Sequence, residues 1–253
     1  MSAPVRWHAA CMAEVPADAA WHDERLAARL ATMRFTKRRD EAELGRWTAK
    51  QALARALGID HGSLTALRQL VVLNAADGAP EAFIGMAPAG VRIAMTDRSD
   101  WAVCTVLEGV GDIGCDLEVV EPRSVDFVRD YFTPAEQELV AAIGDRALSA
   151  NLIWSAKESA LKVLRTGLRR DTRSVEVTLD PTVGKPESWS PLVIRDLITG
   201  DNLPGHWIRF GDFLLTIAAR EDYPNPVSFD EPSPLSQATP SHAWMTRPTA
   251  HRD

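Results

Sequence analysis

The stretch GVGDIGCDLEVV, residues 109–120, decides between two folds for this chain. Its first six residues match G-x-G-x-x-G, the phosphate loop of dinucleotide-binding proteins, which follows a strand and opens a helix. The residues after Gly114 instead alternate between apolar and polar types, which is the pattern of a strand. The sequence therefore favours a glycine-rich hairpin turn followed by a strand, and it argues against a nicotinamide oxidoreductase.

Two carboxylates share one face of this predicted strand. Side chains two residues apart point to the same side of a strand, so Asp116 and Glu118 are expected next to each other. Like charges at such a short distance destabilise each other unless a cation lies between them. Mg²⁺ commonly binds through one or two carboxylates. The pattern predicts a magnesium site, and an ordinary exposed strand face remains the alternative.

A second group of polar side chains is expected on a helix that contains WSAKESALK, residues 154–162. At about 100° per residue, Trp154, Glu158 and Lys162 fall on a face turned away from the apolar stripe of that helix. The alternative interpretation is a surface ion pair between Glu158 and Lys162, which would contribute only ~0.3–0.5 kcal/mol.

The elements on either side favour an α+β fold. Residues 18–57 predict two helices separated near residues 34–37, and a meander of antiparallel strands is expected over residues 91–96, 101–107 and 113–120. Thr133, Pro134 and Glu136 carry the signals of a helix start, and the next helix is predicted over residues 146–165. Strands close the chain, so helices and strands alternate in blocks.

Composition excludes several classes of protein. The 253 residues include 28 Lys and Arg against 35 Asp and Glu, a net charge of −7 that gives no support to binding nucleic acid. The three cysteines are widely spaced, which argues against a disulfide framework or a zinc site. With neither a signal peptide nor a long apolar run in the sequence, we expect a cytoplasmic protein without a membrane segment.

Together, the two charged segments resemble the signatures of the Sfp-type 4'-phosphopantetheinyl transferases, G-x-D-x-E and W-x-x-K-E-x-x-x-K. FTPAEQELV, residues 132–140, is similar to the F-(T/S)-x-x-E segment of that family. The resemblance implies two similar α+β halves, each an antiparallel sheet with helices, with the active site at their interface. We accordingly expect a coenzyme A phosphate-binding half at 1–110, a Mg-binding catalytic half at 111–224, and a disordered Pro/Ser-rich tail at 225–253.

The resemblance also implies a reaction. The 4'-phosphopantetheine arm of coenzyme A would move to a serine of an acyl or peptidyl carrier protein, with release of adenosine 3',5'-bisphosphate. Asp116, Glu118 and Glu158 would hold Mg²⁺, and Glu158 would also accept the serine proton. Lys157 and Lys162 would supply positive charge at the reacting phosphate.

The phosphates of coenzyme A are expected to meet a basic group in the first half. Lys37, Arg38 and Lys50 are its predicted members, and Thr96 could add a hydroxyl donor. The family carries a His that helps to hold the 3'-phosphate, whereas this chain has Asp97 at that position. An acid does not favour a phosphate, so we expect Arg98 to take over the contact.

One alternative function is a non-catalytic module that binds coenzyme A or a carrier protein, and Asp97 is the feature that favours it. A monomer is expected, because in this family the two halves form one site within a single chain. The sequence does not identify the carrier, which could serve fatty-acid, polyketide or nonribosomal-peptide synthesis, and secondary metabolism is the expected setting. It also leaves open whether Mg²⁺ or Mn²⁺ is used.

Overall fold

The computed structural model describes residues 4–109, 111–179 and 188–241. The helices in these ranges are α1 (Glu24–Thr32), α2 (Thr36–Leu57), α3 (Leu64–Arg68), α4 (Val125–Tyr131), α5 (Pro134–Ala142) and α6 (Arg146–Val163). The strands are β1 (Arg6–Cys11), β2 (Leu70–Asn74), β3 (Pro80–Ile84), β4 (Ala87–Pro88), β5 (Val91–Arg98), β6 (Trp101–Glu108), β7 (Ile113–Val119), β8 (Val175–Thr178), β9 (Ser190–Asp196), β10 (Asn202–Phe210), β11 (Phe213–Ala219) and β12 (Val227–Ser228). Helices and antiparallel sheets are combined as the sequence predicted, so the α+β class is confirmed.

The helix boundaries follow local chemistry. Gly58 ends α2 with a φ of 67°, a left-handed conformation in which glycine carries no steric cost. At the start of α5 the Thr133 hydroxyl accepts a hydrogen bond from the Glu136 amide, and the Glu136 carboxylate accepts one from the Thr133 amide. The predicted capping box is therefore present.

The first half of the chain forms two sheets, a smaller one in the order β2-β3-β4 and a larger one in the order β12-β1-β6-β5, whose edge strand β12 comes from the C-terminal segment. Helix α2 lies across β1 and β6 and buries Leu53 and Ala49 against them. Trp21 and Trp47 pack edge to face with their ring centres 5.3 Å apart. The apolar face of α2 thus fixes where its polar residues point.

The second half has a five-stranded antiparallel sheet in the order β7-β11-β10-β9-β8, covered by α6. Gly114 on β7 explains why α6 can lie so close to this edge strand. A Cβ at that position would come within 2.0 Å of the Ser159 carbonyl oxygen on α6. Only glycine fits there, and the close approach brings polar residues of β7 and α6 together.

The two halves meet where β5 packs beside β7. A buried core is shared across this contact, with Trp7 and Val103 from the first half against Leu117 and Leu215 from the second. The prediction of a three-stranded meander was wrong at its last strand. β5 and β6 form a hairpin, but β7 pairs with β11 in the other sheet along seven residue pairs, and the four pairs on one face are apolar on both strands.

The prediction of a disordered tail after residue 224 was also wrong for the part that the structure describes. Val227 and Ser228 pair in parallel with β1, and the Asp230 carboxylate contacts Nδ1 of His8 at 2.7 Å and the Arg55 guanidinium at 3.0 Å. Leu235 is fully buried in the core that both halves share. Apolar residues spaced among the prolines explain this order, while residues 242–253 of the predicted tail lie outside the described residues.

None of the helices in the described ranges has both the length and the hydropathy needed to span a lipid bilayer. The predicted boundary at residues 110 and 111 falls between β6 and β7, where the chain passes from one sheet to the other.

Candidate active site

Asp116 on β7 lies at the centre of the polar group predicted from the sequence. Its Oδ1 lies 3.1 Å from the ammonium nitrogen of Lys162, which also donates a hydrogen bond to the Cys115 carbonyl oxygen at 2.7 Å. The Thr96 hydroxyl donates to the same Oδ1 at 3.2 Å. Oδ2 of Asp116 is buried and accepts no hydrogen bond within the described residues. One carboxylate oxygen is therefore held by hydrogen bonds from the protein, while the other keeps both lone pairs for a hydrogen-bond donor or a cation.

Negative charge accumulates around Asp116. Burial first, and then the charge of Asp116, raise the pKa of Glu118 to about 7, although Arg123 and Arg98 act in the opposite direction. Burial and Asp116 likewise raise the pKa of Glu158 on α6 to about 7. Burial alone would lower the pKa of Lys162, but Asp116 and Glu158 raise it, so this lysine is held in its charged form. The site thus brings together three of the acidic residues and one of the lysines that the sequence predicted.

Glu118 is held differently from Asp116. Its Oε2 lies 3.3 Å from Nε of Arg98 on β5 and 3.1 Å from a terminal nitrogen of Arg123. These contacts are ion pairs that lack the alignment of a hydrogen bond. Trp154 is near enough to oppose the rise in the pKa of Glu118, and its ring packs against Phe127 of α4 with the ring centres 5.0 Å apart. The tryptophan of the second signature therefore lies beside a carboxylate of the first.

Thr96, which the sequence suggested as a hydroxyl donor to a phosphate, uses its hydroxyl proton within the protein. Its hydroxyl donates to Asp116 and accepts a hydrogen bond from the Leu117 amide at 3.1 Å. A threonine near the end of β5 is thereby hydrogen-bonded to a side chain and to a backbone amide of β7. Its role in the structure is to orient Asp116 across the contact between the halves.

Lys157 is separated from this group. Its ammonium is fully buried in the second half, 2.7 Å from Oε2 of Glu136, and it donates hydrogen bonds to the carbonyl oxygens of Thr172 and Val175. All three of its donors are used by the protein. The prediction that Lys157 acts on the substrate is therefore corrected, because a residue five positions before Lys162 points to another side of α6.

Lys50 is likewise turned inward. It is fully buried and donates hydrogen bonds to the Trp21 carbonyl oxygen and to Asp23, both at 2.9 Å. The predicted contact with a phosphate does not fit this position. Lys37 and Arg38, the other predicted basic residues, are exposed near the start of α2, where Lys37 is 3.7 Å from Glu41.

Three adjoining cavities run from the acidic group along the first half. A cavity of about 220 Å³ is lined by Lys162 and Arg165 from the second half and by Met95 and Pro80 from the first. It adjoins a cavity of about 540 Å³ lined by three arginines. A third, of about 520 Å³, lies beside Lys37, Asp97 and Arg98. Their sizes lie within or near the range of sites for small ligands.

Sequence reasoning missed three residues of these cavities. Arg29 and Arg46 line the second cavity together with Arg38. Burial first, and then the nearby positive charge of Arg29, lower the pKa of Arg46 to about 10, and Arg46 donates to the Asn74 side chain at 2.6 Å. Arg165 crosses between the halves to Asp77 at 2.6 Å. Arg46 and Arg165 carried a signal, since Arg46 lies four residues before Lys50 and Arg165 lies three residues after Lys162.

The residues at the acidic group fit a divalent cation by their chemistry. Carboxylate oxygens are the hard ligands that Mg²⁺ prefers, and the buried Oδ2 of Asp116 accepts no hydrogen bond from the described residues. A positive charge would also relieve the repulsion that raises the pKa of Glu118 and Glu158. Within the described ranges, no three metal-ligating side chains are gathered into a complete site, and Glu118 forms ion pairs with Arg98 and Arg123.

The fold and the site together define an α+β protein in which acidic residues and one lysine meet where two halves pack. Residues 112–218 match the family model of the 4'-phosphopantetheinyl transferase superfamily. The match confirms the resemblance at the level of the superfamily. It also supports the predicted activity, transfer of a phosphopantetheinyl group from coenzyme A to a carrier protein.

Among solved structures, the chain is similar to the crystal structure of Thermotoga maritima holo-[acyl-carrier-protein] synthase. The two are 23% identical, and the match covers 53% of this chain and 76% of that one with a TM-score of 0.34. None of the curated proteins matches this chain. The family match begins at residue 112, so the first half lies outside it.

Proposed function

We propose that this protein is a phosphopantetheinyl transferase of the Sfp type, with its active site at Asp116. The observation that carries the proposal is the environment of that carboxylate. It is bound by Lys162 on one oxygen, bears a buried oxygen that accepts no hydrogen bond from the described residues, and raises the pKa of Glu118 and Glu158. Such a group suits phosphoryl transfer, which depends on positioning and on neutralising charge.

Coenzyme A would bind along the three cavities, with its pyrophosphate near Lys162. An ammonium has three donors, and two of them are used by Cys115 and Asp116. The third is available to a phosphate oxygen, since Lys162 lines the cavity of about 220 Å³. The 3'-phosphate would be held by Arg29, Arg38 and Arg46, which outnumber the two acids, Glu41 and Asp97, that line the same cavity. Lys37 lies at the neighbouring cavity and would add positive charge.

The chain's own residues would perform the proton and charge work of the reaction. Glu158 would accept the proton of the carrier's serine hydroxyl, because it is half-buried on α6 one turn before Lys162. Lys162 would stabilise the charge that develops on the leaving phosphate oxygens. Asp116, Glu118 and Glu158 would hold a divalent cation, which would supply Lewis-acid charge for the pyrophosphate.

Further properties complete the proposal. Residues 1–110 would form the half that binds the coenzyme A phosphates, and residues 111–224 the catalytic half. The enzyme would be of the holo-[acyl-carrier-protein] synthase kind, act in the cytoplasm as a monomer, and modify carriers of secondary metabolism. Mg²⁺ would be the ion in use. These properties follow from the family resemblance.

Intact mass spectrometry of apo carrier proteins tests the function. A panel from fatty-acid, polyketide and nonribosomal-peptide synthesis is incubated with the protein, coenzyme A and Mg²⁺. One phosphopantetheine group should be added to at least one carrier, and EDTA should abolish the addition. If no carrier gains mass while calorimetry still detects coenzyme A binding, the protein is a binding module and the proposal is wrong.

A further inference from the structure

Arg98 connects the two halves directly at the acidic group. It is the last residue of β5 in the first half, and its guanidinium lies 3.3 Å from Oε2 of Glu118 on β7. The same guanidinium donates a hydrogen bond to Oε1 of Glu121 at 2.7 Å. Both glutamates are buried. Arg98 therefore contacts two carboxylates of the second half through two nitrogens of its planar group.

Arg123 holds Glu118 from the other direction. One of its terminal nitrogens lies 3.1 Å from Oε2 of Glu118, and its Nε donates to the Asn151 side chain at 2.7 Å. Asn151 is fully buried on α6 and in turn donates to the Glu121 carbonyl oxygen at 2.6 Å. The Arg123 guanidinium also lies over the Phe127 ring at 4.9 Å. Glu118 is thus placed between two guanidinium groups, one from each half.

The backbone beside Arg98 is held in an unfavourable conformation. Arg98 and Trp101 pair across a hairpin whose two central residues, Ser99 and Asp100, have φ values of 50° and 62°. Turns of this type favour Asn and Gly at those positions, because other side chains are strained at positive φ. The carbonyl oxygen of Asp100 accepts a hydrogen bond from Met12, which helps to hold the turn. The hairpin fixes the point from which Arg98 reaches β7.

We propose that Arg98 is a positioning residue that fixes Glu118 across the contact between the halves, and that it does not bind the 3'-phosphate of coenzyme A. The proposal corrects the expectation from the sequence, in which Arg98 replaced the family histidine as a phosphate ligand. Its positive charge also competes with any cation that approaches Glu118. Arg98 would then set both the geometry of the acidic group and the affinity of that group for a divalent ion. The part of the proposal that concerns the ion rests on the proposed function.

The first test uses Mn²⁺ alone as the probe, followed by electron paramagnetic resonance. Removing one positive charge close to Glu118 should strengthen the binding of a divalent cation about tenfold, by Coulomb's law in a well-solvated site. We expect this gain for Arg98→Ala and no gain for Arg98→Lys, which keeps the charge. Equal Mn²⁺ affinity in the wild type and Arg98→Ala would overturn the proposal, whether or not the protein transfers phosphopantetheine.

The second test compares coenzyme A with 3'-dephospho-coenzyme A as donors. In Arg98→Ala we expect kcat to fall about tenfold while the ratio of kcat/KM for the two donors stays at the wild-type value. Arg46→Ala is the matched control. In this variant the kcat/KM for coenzyme A divided by that for 3'-dephospho-coenzyme A should fall toward one. If Arg98→Ala instead loses the preference for the 3'-phosphate, Arg98 is a phosphate ligand and the proposal is wrong. Thermal melts show whether each variant is folded, and Arg98→Gln, which also removes the charge, replaces Arg98→Ala in both tests if Arg98→Ala does not fold.

Discussion

Lys157 and Lys162 lie on the same helix, five residues apart, and their surroundings are opposites. Lys157 is fully buried with Glu136 at 2.7 Å, and all of its donors are used within the second half. Lys162 lies at the contact between the halves, partly exposed, beside a carboxylate with a spare buried oxygen. The first environment is complete without a ligand, whereas the second is completed by one. We take Lys157 as part of the framework and Lys162 as part of the chemistry.

Replacing Lys157 should break the framework. Lys157→Met would leave Glu136 as a buried charge without its partner, which costs about 3–5 kcal/mol in the free energy of unfolding. Urea unfolding followed by circular dichroism measures this loss. The double variant Lys157→Met, Glu136→Gln is the control and should recover part of it. A Lys157→Met protein as stable as the wild type would show that the pair is not structural.

Replacing Lys162 should affect the reaction far more than the fold. Lys162→Ala removes the ammonium beside Asp116, and we expect kcat/KM to fall about 100-fold, equivalent to about 2.7 kcal/mol. Steady-state transfer assays measure the rate, and the melting temperature should change little. A rate close to that of the wild type would remove Lys162 from the catalytic group.

A second framework pair predicts a pH dependence of stability. The Arg170 guanidinium lowers the pKa of Asp196 to about 2, and the Ile198 amide adds to this effect. Because the folded pKa lies below the unfolded value, the pair stabilises the protein above about pH 4, and this contribution, about 2 kcal/mol, is lost as the pH falls toward 2. Urea titrations at several pH values should show a flatter profile for Asp196→Asn. If stability depended on pH in the same way in the wild type and in Asp196→Asn, the ion pair between Arg170 and Asp196 would not be the source of this stabilisation.

The smallest effect on activity is expected from replacing Thr96. Thr96→Val keeps the shape of the side chain but removes the hydroxyl that donates to Asp116 and accepts from Leu117. Loss of a hydrogen bond of this kind costs about 1 kcal/mol, or about fivefold in kcat. Thr96→Ser is the control and should keep most of the activity. If valine and serine behave alike, the hydroxyl does not orient Asp116.

The difference between the two lysines could not be predicted from the sequence signature that contains both. The partner of Lys157 is Glu136, which the sequence identified as a capping residue and as part of a family segment but not as a partner of Lys157, and it meets Lys157 because α5 packs on α6. A weaker signal was present. Small residues surround both buried lysines on their helices, Ala49 and Ala52 beside Lys50 and Ala156 and Ser159 beside Lys157. A helix with small side chains on several faces is expected to be buried all round.

Other parts of the site were accessible from the sequence. The alternation after Gly114 predicted β7, and the helical spacing placed Glu158 and Lys162 on one face of α6. Gly114 itself allows the two elements to approach. The place of Arg29 at its cavity and the cross-half contact of Arg98 depend on how α1, α2 and β7 pack, which no local pattern encodes.

Asp116→Asn tests the central claim most directly. The substitution keeps the shape of the side chain and removes the charge that organises Lys162, Glu158 and the proposed cation site. Intact mass spectrometry of a carrier that the wild type modifies should show its phosphopantetheine addition slowed about 1,000-fold, equivalent to about 4 kcal/mol, by a variant whose melting temperature is preserved. Addition at a rate near that of the wild type would contradict the account, because the reaction would then not take place at this carboxylate.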